Sequence, residues 1–490
     1  MSIPRIATLS ALALALTAGR ASAQDDLQRL MTALGGGTPM IEDLRDLTDR
    51  IGGRATGSPA NRASVQWALE RFGTAGVTTR AETFTMPALW LDRASTAAVS
   101  GQAQFVPRVT AMPWSAGTGG RALEGPLVAG GRGTEADFQR LATAARGAWV
   151  FIAQAALRDL DGLFAEYAES AEIERRAWAA GAVGVVYESS RPEGILYRHN
   201  AALGWDNQRP ALVMERAVGE RVRRLLDAGS ALRFTATVQV SRGPAYSADN
   251  VIGEIRGATR PDEIVVVGAH LDSWDLGQGA LDNGANVVML IDIARQMARL
   301  GLHPARTIRF VLWNGEEQGM IGSWRYTEQH ASELDRTVLS ASFDIGTGNT
   351  IGFMTGGRPD VLAATQRALE PLAALGPWQH QDVAIVGTDN YDFILQGVPN
   401  VVANQESANY GPNYHAANDT FDKADTVAMR RNARIAAAVT WYWANAEGLP
   451  GRQTMAQVEE LVQRTDLRAQ MRTLGDLRER WDDRTRPRRP

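Results

Sequence analysis

Two short apolar runs constrain the fold of this chain more than any other feature. They extend from Ile264 to Val267 and from Ile308 to Leu312, and helix-like stretches follow each run. Strands that are apolar on both faces are typical of parallel sheets covered by helices on either side. The pattern from residue 250 to about residue 446 therefore predicts an α/β fold, with a mostly parallel mixed sheet sandwiched by helices.

Titratable side chains follow both runs. His270 and Asp272 come directly after the first run, and Glu316 and Glu317 come shortly after the second. Ligand sites of open α/β sheets lie at the carboxyl ends of the strands, so these side chains are expected at one edge. Alternate residues of an extended segment share a face. Asp272 is therefore predicted to orient the ring of His270 while the other ring nitrogen binds a metal ion.

Three further loops add candidate metal ligands, namely Asp282, Asp344 and His415. Each alone is compatible with an ordinary structural role, such as capping a helix or lying in a solvated turn. Together with His270 and one glutamate they provide two histidines and three carboxylates, which suit two zinc ions. The second glutamate of the adjacent pair is then available to accept a proton.

Composition excludes several classes of protein. The 490 residues include no cysteine, so disulfides, thiolate metal ligands and cysteine-protease chemistry are absent. The formal net charge is −4, and basic and acidic residues are interspersed. No large positive field is available for nucleic acid, which is therefore not expected as a partner.

The first residues have the pattern of an export signal. Arg5 precedes an apolar stretch from Ile6 to Ala18, and the small residues Ala21-Ser22-Ala23 follow. This order predicts a secretory signal peptide over residues 1–23. The apolar stretch is shorter than the ~20 residues that a membrane-spanning helix needs. We therefore expect an exported protein, periplasmic or extracellular, without a membrane span.

The remaining chain divides by pattern. The stretch from Asp25 to about Leu91 looks mainly helical, with Gly-rich turns, and leads into the catalytic fold. Short apolar runs alternating with Gly-rich turns then indicate a small inserted α+β domain, and the last forty residues are charged and helix-like. The predicted units are 24–96, the insert 97–245, the α/β domain 246–450 and an appendage 451–490.

Three motifs carry a family resemblance. They extend from Gly52 to Pro59, from His270 to Asp282 and from Trp313 to Gly319. With them the sequence resembles the zinc aminopeptidase and carboxypeptidase family, over a region that reaches Thr420. The resemblance implies a zinc-exopeptidase fold. It also implies that the insert is a protease-associated domain, which in relatives helps to cover the substrate site.

Residue roles follow from the resemblance by position. Asp282 would bridge two zinc ions, with His270 and Asp344 on one ion and Glu317 and His415 on the other. Glu316 would be the general base. The resemblance also implies a cis peptide bond between Asp282 and Asn283.

Several other residues receive weaker assignments. Thr388 and Asp389 match a segment near the family's metal cleft and are expected to play a supporting role. Three tyrosines are candidates for stabilising the oxyanion, and the sequence does not choose among Tyr391, Tyr410 and Tyr414. The histidines outside the motifs are predicted not to bind metal; these are His199, His303, His330 and His380.

The function that the resemblance implies is an exported metalloexopeptidase with two zinc ions per chain. Dipeptides or short peptides are the expected substrates, hydrolysed by zinc-activated water with Glu316 as base. An aminopeptidase on longer peptides is the near alternative. A glutaminyl-cyclase-like enzyme with one zinc and a metal-free receptor-like protein are further alternatives, which the complete ligand set disfavours. Whether the chain forms a homodimer is left open. Since every predicted ligand lies outside the insert, we expect metal binding to survive its removal in part.

Overall fold

The computed structural model describes residues 23–158, 160–198, 207–344 and 346–473. The predicted signal peptide lies outside these residues, apart from Ala23. The strands are β1 Thr78–Met86, β2 Leu89–Gly101, β3 Val109–Ala111, β4 Leu123–Ala129, β5 Trp149–Ile152, β6 Gly184–Glu188, β7 Ala211–Met214, β8 Leu232–Gly243, β9 Tyr246–Ile255, β10 Arg260–His270, β11 Arg306–Trp313, β12 Thr337–Ser342, β13 Thr350–Met354 and β14 Asn400–Gln405.

The helices alternate with these strands along most of the chain. They are α1 23–35, α2 Met40–Asp46, α3 Pro59–Thr74, α4 Glu135–Leu141, α5 Leu160–Ala179, α6 Arg216–Asp227, α7 Ala285–Arg299, α8 Ile321–Gln329, α9 Pro359–Leu369, α10 Asn390–Leu395, α11 Tyr410–Asn413, α12 Thr426–Asn445, α13 Met455–Arg464 and α14 Leu467–Thr473. Among the described residues, no helix is both long and apolar enough to cross a membrane.

The first sheet carries the predicted strands. Its order is β1-β9-β11-β10-β12-β14-β13. The four strands β11, β10, β12 and β14 are parallel, and the outer pairings are antiparallel. Both apolar runs are strands, as predicted, and occupy the parallel centre. Parallel and antiparallel pairings are equally numerous, so the sheet is not mostly parallel as predicted. The antiparallel pairings are those of β9, β1 and β13 at its sides.

Helices cover both faces of the parallel centre. On β10, Val265 and Val267 pack into a core with α7 and α12, while Val266 packs on the opposite face with residues of α8 and α10. Successive residues of a strand point to opposite faces, so a run of apolar residues needs two apolar layers. The carboxyl edge of the parallel strands is the place where the loops converge.

A second sheet lies between residues 89 and 243, with the order β2-β8-β4-β5-β6-β7-β3. Its core includes Trp149, Phe151 and Phe234. Helices α4, α5 and α6 belong to the same part of the chain, which agrees with a small α+β unit. The sheet begins at Leu89, ahead of the boundary at residue 97 that the sequence suggests. The assignment as a protease-associated domain stays a prediction.

The predicted helical lead-in is correct only in part. Residues up to Thr74 form helices, but Thr78–Met86 is strand β1, and β2 begins at Leu89. In β1 the inward positions Phe84 and Met86 alternate with exposed residues, a period of two that favours a strand. This alternation is confined to the end of the strand, and the Thr-rich remainder carries no clear apolar pattern.

Two short helices lie in the C-terminal segment where it is described. Helices α13 and α14 bury Leu461, Val462, Leu467 and Met471 against α10 and its neighbourhood. The segment is therefore packed on the α/β domain, and it supports the stretch that contains Thr388 and Asp389. Gln470 fixes this contact, because its side chain accepts a hydrogen bond from the Val386 N–H at 2.8 Å.

Candidate functional site

The five predicted metal ligands lie together at the carboxyl edge of the parallel strands. His270 ends β10, Glu317 and Asp344 follow β11 and β12, and Asp282 lies just before α7. His415 belongs to the loop after α11. The ligand atoms form two groups within 4.8 Å, namely His270-Asp282-Asp344 and Asp282-Glu317-His415. Asp282 is common to both groups.

The two oxygens of Asp282 face different groups. Its Oδ1 lies 3.1 Å from His270 Nε2, and its Oδ2 lies 3.3 Å from His415 Nε2. His270 Nε2 is also 3.1 Å from Asp344 Oδ1, and His415 Nε2 is 2.8 Å from Glu317 Oε2. One carboxylate thus lies between two pairs, each with one histidine and one acid.

These residues fit metal ions by their chemistry. Asp282 Oδ2 and Glu317 Oε2 are buried and face His415 Nε2, but neither has a partner with regular hydrogen-bond geometry within the described part of the chain. A buried polar atom without a hydrogen bond requires an explanation, and an ion is one. Imidazole nitrogens and carboxylate oxygens are ligands that zinc accepts. The donor set therefore suits two zinc ions that share Asp282.

The ionisable groups of the site shift one another's pKa values. Burial raises the pKa of Glu317 to about 7. Burial would lower the pKa of His415, but the carboxylates of Glu317 and Asp282 raise it to about 9. Burial likewise opposes ionisation of Asp282, yet the adjacent imidazoles of His270 and His415 hold its pKa below the usual range. Without metal, protons on the histidines therefore offset the buried acids, and bound cations would replace them.

Glu316 lies beside both groups but belongs to neither. Burial raises the pKa of its carboxyl well above the usual range; nearby His270 opposes the shift, whereas Asp344 and Asp389 add to it. Burial also raises the pKa of Asp389. A carboxyl group of raised pKa next to a metal site is suited to accept and return protons.

Asp272 contacts His270 mainly through its backbone. His270 Nδ1 lies 3.0 Å from the Asp272 carbonyl oxygen and 3.6 Å from Oδ1 of the side chain, beyond hydrogen-bonding distance. The Asp272 carboxylate instead accepts hydrogen bonds from the Thr56 hydroxyl at 2.7 Å and the Gly315 N–H at 3.0 Å. The carbonyl is thus the nearer group for fixing the ring, while the carboxylate joins the His270 and Glu316 loops.

Sequence reasoning gave no role to Arg54, although it lies in the first family motif. Its guanidinium is completely buried and donates to the carbonyls of Leu271, Gln278 and Gly279. These carbonyls bracket the loop between His270 and Asp282. Burial lowers the pKa of Arg54 to about 10, against the opposing effect of nearby carboxylates. Arg54 therefore remains a cation at neutral pH and holds the loop between His270 and Asp282.

Asp419 is a second residue whose role the sequence did not reveal. Its carboxylate accepts hydrogen bonds from the N–H groups of Leu281 at 2.7 Å and Asp282 at 3.1 Å. The Asn283 side chain donates to the Phe343 carbonyl at 2.9 Å, next to Asp344. The Asp282–Asn283 peptide bond is cis, as the family resemblance implies. Asp282 is therefore held on both sides, by Asp419 through the N–H groups and by the Asn283 side chain that follows it.

The structure distinguishes the three candidate tyrosines. Burial raises the pKa of Tyr410 well above its usual range, and the carboxylates of Asp282, Asp344 and Glu317 raise it further, so Tyr410 lies at the site. The ring of Tyr414 stacks on His415 with centroids 3.6 Å apart. Tyr391 is part of the apolar cluster under the C-terminal helices.

The histidines outside the motifs lie outside both ligand groups where they are described. His330 lies between Glu82 and Glu333, at 2.8 and 2.9 Å. His303 is exposed and His380 is half-buried. His199 lies outside the described residues.

Comparison with known proteins agrees with this site. Residues 250–440 match the family described as Peptidase family M28. Over these residues the chain is similar to peptidase family M28. The matched region contains all five candidate ligands and Glu316, and it confirms the resemblance drawn from the motifs.

Individual relatives extend the likeness. The chain is 30% identical to carboxypeptidase Q of Xenopus laevis over 272 residues, 54% of this chain and 57% of that protein. It is 26% identical over 457 residues to the probable lipoprotein aminopeptidase LpqL of Mycobacterium tuberculosis, 85% of each chain. The match thus spans about half the length of the carboxypeptidase Q relatives.

A solved structure shares most of the fold. The peptidase M28 precursor of Shewanella amazonensis matches with a TM-score of 0.80 and 26% identity. The match covers 88% of this chain and 99% of the other. The second sheet therefore has a counterpart within the extent of that match.

Zinc binding by the protein is expected to strengthen as pH rises from about 6 to about 9. Metal binding needs the deprotonated ligands, and the pKa values of about 7 for Glu317 and about 9 for His415 leave protons to be displaced. Competition with a chelator at several pH values measures the affinity, and calorimetry in different buffers counts the protons released. An affinity that does not change over this interval would contradict the charge balance described above.

Proposed function

We propose that this protein is an exported metalloexopeptidase with two zinc ions per chain, which hydrolyses dipeptides or short peptides. One observation carries the proposal: Asp282 turns one oxygen toward each of two ligand groups, with Glu316 beside them. The match of residues 250–440 to peptidase family M28 supports it. Export rests on the signal pattern at the N-terminus.

The proposed roles divide the site into binding and proton transfer. His270 and Asp344 would hold one zinc ion, Glu317 and His415 would hold the other, and Asp282 would contribute to both. When bound, the zinc ions supply Lewis acidity, which polarises the substrate carbonyl and lowers the pKa of water. Glu316 takes the proton from the attacking water and returns it to the leaving amine nitrogen.

An aminopeptidase acting on longer peptides is the second candidate. The similarity to LpqL, which is named a probable aminopeptidase, covers 85% of both chains and favours it. The similarity to carboxypeptidase Q favours the first candidate but covers a shorter part of the chain. Two ligand groups, rather than one, favour either peptidase over a single-zinc cyclase.

A panel of peptides tests the proposed activity directly. The zinc-loaded protein is expected to hydrolyse unblocked dipeptides, to cleave tripeptides more slowly and to leave N-acetylated dipeptides uncleaved. Release of amino acids is followed by mass spectrometry. Equal or faster removal of N-terminal residues from longer peptides would establish the aminopeptidase instead, and a zinc-loaded protein inactive on the whole panel would contradict both.

The adjacent glutamates are expected to respond differently to the same substitution. Glu316→Gln should retain both zinc ions and lower kcat by ~10²–10⁴-fold, the usual contribution of a general base. Glu317→Gln is its matched control and should lose zinc, with activity partly restored by added zinc. Bound zinc and kcat are measured on both purified variants. Loss of metal from Glu316→Gln, with two ions kept by Glu317→Gln, would reverse the assignment.

A further inference from the structure

The second sheet unit is hydrogen-bonded to the backbone of a candidate metal ligand. Its segment 195–198, between β6 and β7, lies alongside residues 415–417. The Arg198 N–H donates to the carbonyl of His415 at 2.8 Å, and the Ala417 N–H donates to the carbonyl of Leu196 at 2.8 Å. The His415 loop is therefore joined by an isolated antiparallel bridge to a segment of the second sheet unit.

The side chain of Arg198 makes a second connection. Its guanidinium is completely buried, and Nε and Nη2 donate to the two oxygens of Asp275 at 2.5 and 3.0 Å. Nη2 also donates to Asp92 in β2 at 2.9 Å, while Nη1 donates to the Thr110 hydroxyl at 3.1 Å and the Ala111 carbonyl at 2.5 Å. A bidentate contact between a guanidinium and a carboxylate fixes their relative orientation as well as their distance.

Asp275 belongs to the loop that shapes the Glu317 side of the site. The neighbouring Trp274 N–H donates to Glu317 Oε1 at 3.2 Å. The Trp274 ring lies 6.3 Å from the His415 ring and 6.2 Å from the ring of Trp90 in β2, both edge-on. A small cavity is lined by Trp274 together with Glu317 and His415. Arg198 thus joins two loops that each contact this ligand group.

We propose that Arg198 is a positioning residue for the Glu317–His415 metal site. It holds the His415 loop through its backbone and the Asp275 loop through its side chain, and so sets the distance between the two ligands. His270 and Asp344 differ from His415, because they directly end or follow the neighbouring parallel strands β10 and β12. The inference rests on the proposed function, since it assumes that Glu317 and His415 hold a metal ion.

The proposal changes what is expected of the second sheet unit. All ligands lie outside it, which suggested that metal binding would be partly independent of it. Its contacts with His415 and Asp275 make one of the two metal sites dependent on it, while the other depends on the parallel sheet. The unit is then part of the support of the metal centre.

Zinc titration of the full-length protein tests this selectivity. Metal-free protein is titrated against a competing chelator, and both affinities are determined for wild type and Arg198→Met. We expect one affinity to fall ~10–100-fold, as for other changes behind a metal ligand, and the other to stay unchanged. Arg198→Lys should recover part of the loss, because an ammonium group can still pair with Asp275 but cannot bridge all its partners.

Two further variants separate positioning from stability. Asp275→Asn removes the other half of the contact with little change of shape, and it should weaken the same zinc ion. If Arg198→Met does not fold, Asp275→Asn serves as the test variant in its place. Arg209→Met is the control, because Arg209 is a half-buried arginine of the same unit that donates to the carbonyls of Trp178 and Ala182. It should lower the Tm of the metal-free protein and leave both affinities unchanged.

The outcomes are distinguishable. Unchanged affinities in Arg198→Met and Asp275→Asn, or equal weakening of both ions, would overturn the positioning role. A loss of affinity in Arg209→Met as large as that in Arg198→Met would also overturn it, because instability alone would then explain the effect. A wild-type protein that binds no zinc would instead overturn the proposed function.

Discussion

The negative charge buried at the carboxyl edge of the sheet is the constraint on which the rest of the site depends. Asp344 lies within 4.8 Å of one histidine, Glu317 of the other and Asp282 of both, in a region from which solvent is largely excluded. Burying ionised carboxylates is costly unless cations or hydrogen bonds compensate them. Arg54 supplies one fixed cation. The imidazole of His415, whose pKa is raised, supplies another when metal is absent.

The same charge explains why so many contacts hold the loop backbones. Ligands that repel one another must be kept together by the fold. Arg54 binds carbonyls on either side of the His270–Asp282 loop, Asp419 binds the N–H groups at Asp282, and Arg198 connects the His415 loop to Asp275. In the proposed function, peptide hydrolysis then depends on two metal sites held rigidly by these contacts and on proton transfer by Glu316.

Sequence alone predicted the features that are local. Apolar runs predicted the strands β10 and β11, and the family motifs predicted which residues converge and the cis bond after Asp282. Contacts between distant segments could not be predicted from the sequence. Arg54 is 217 residues from Leu271, and nothing in either segment indicates their contact. Strand β1 was missed because its Thr-rich sequence has little apolar alternation, and its pairing with β9 decides its conformation.

The shared position of Asp282 is the central claim, and the zinc content of Asp282→Asn beside Asp344→Asn tests it most directly. Zinc bound per chain is measured on each purified protein after dialysis against the same dilute zinc buffer. We expect two ions in wild type, weakened binding of both ions in Asp282→Asn, and weakened binding of one ion in Asp344→Asn, because Asp344 belongs to a single ligand group. A single zinc ion in wild type, or the loss of only one ion from Asp282→Asn, would contradict a centre built on a shared carboxylate.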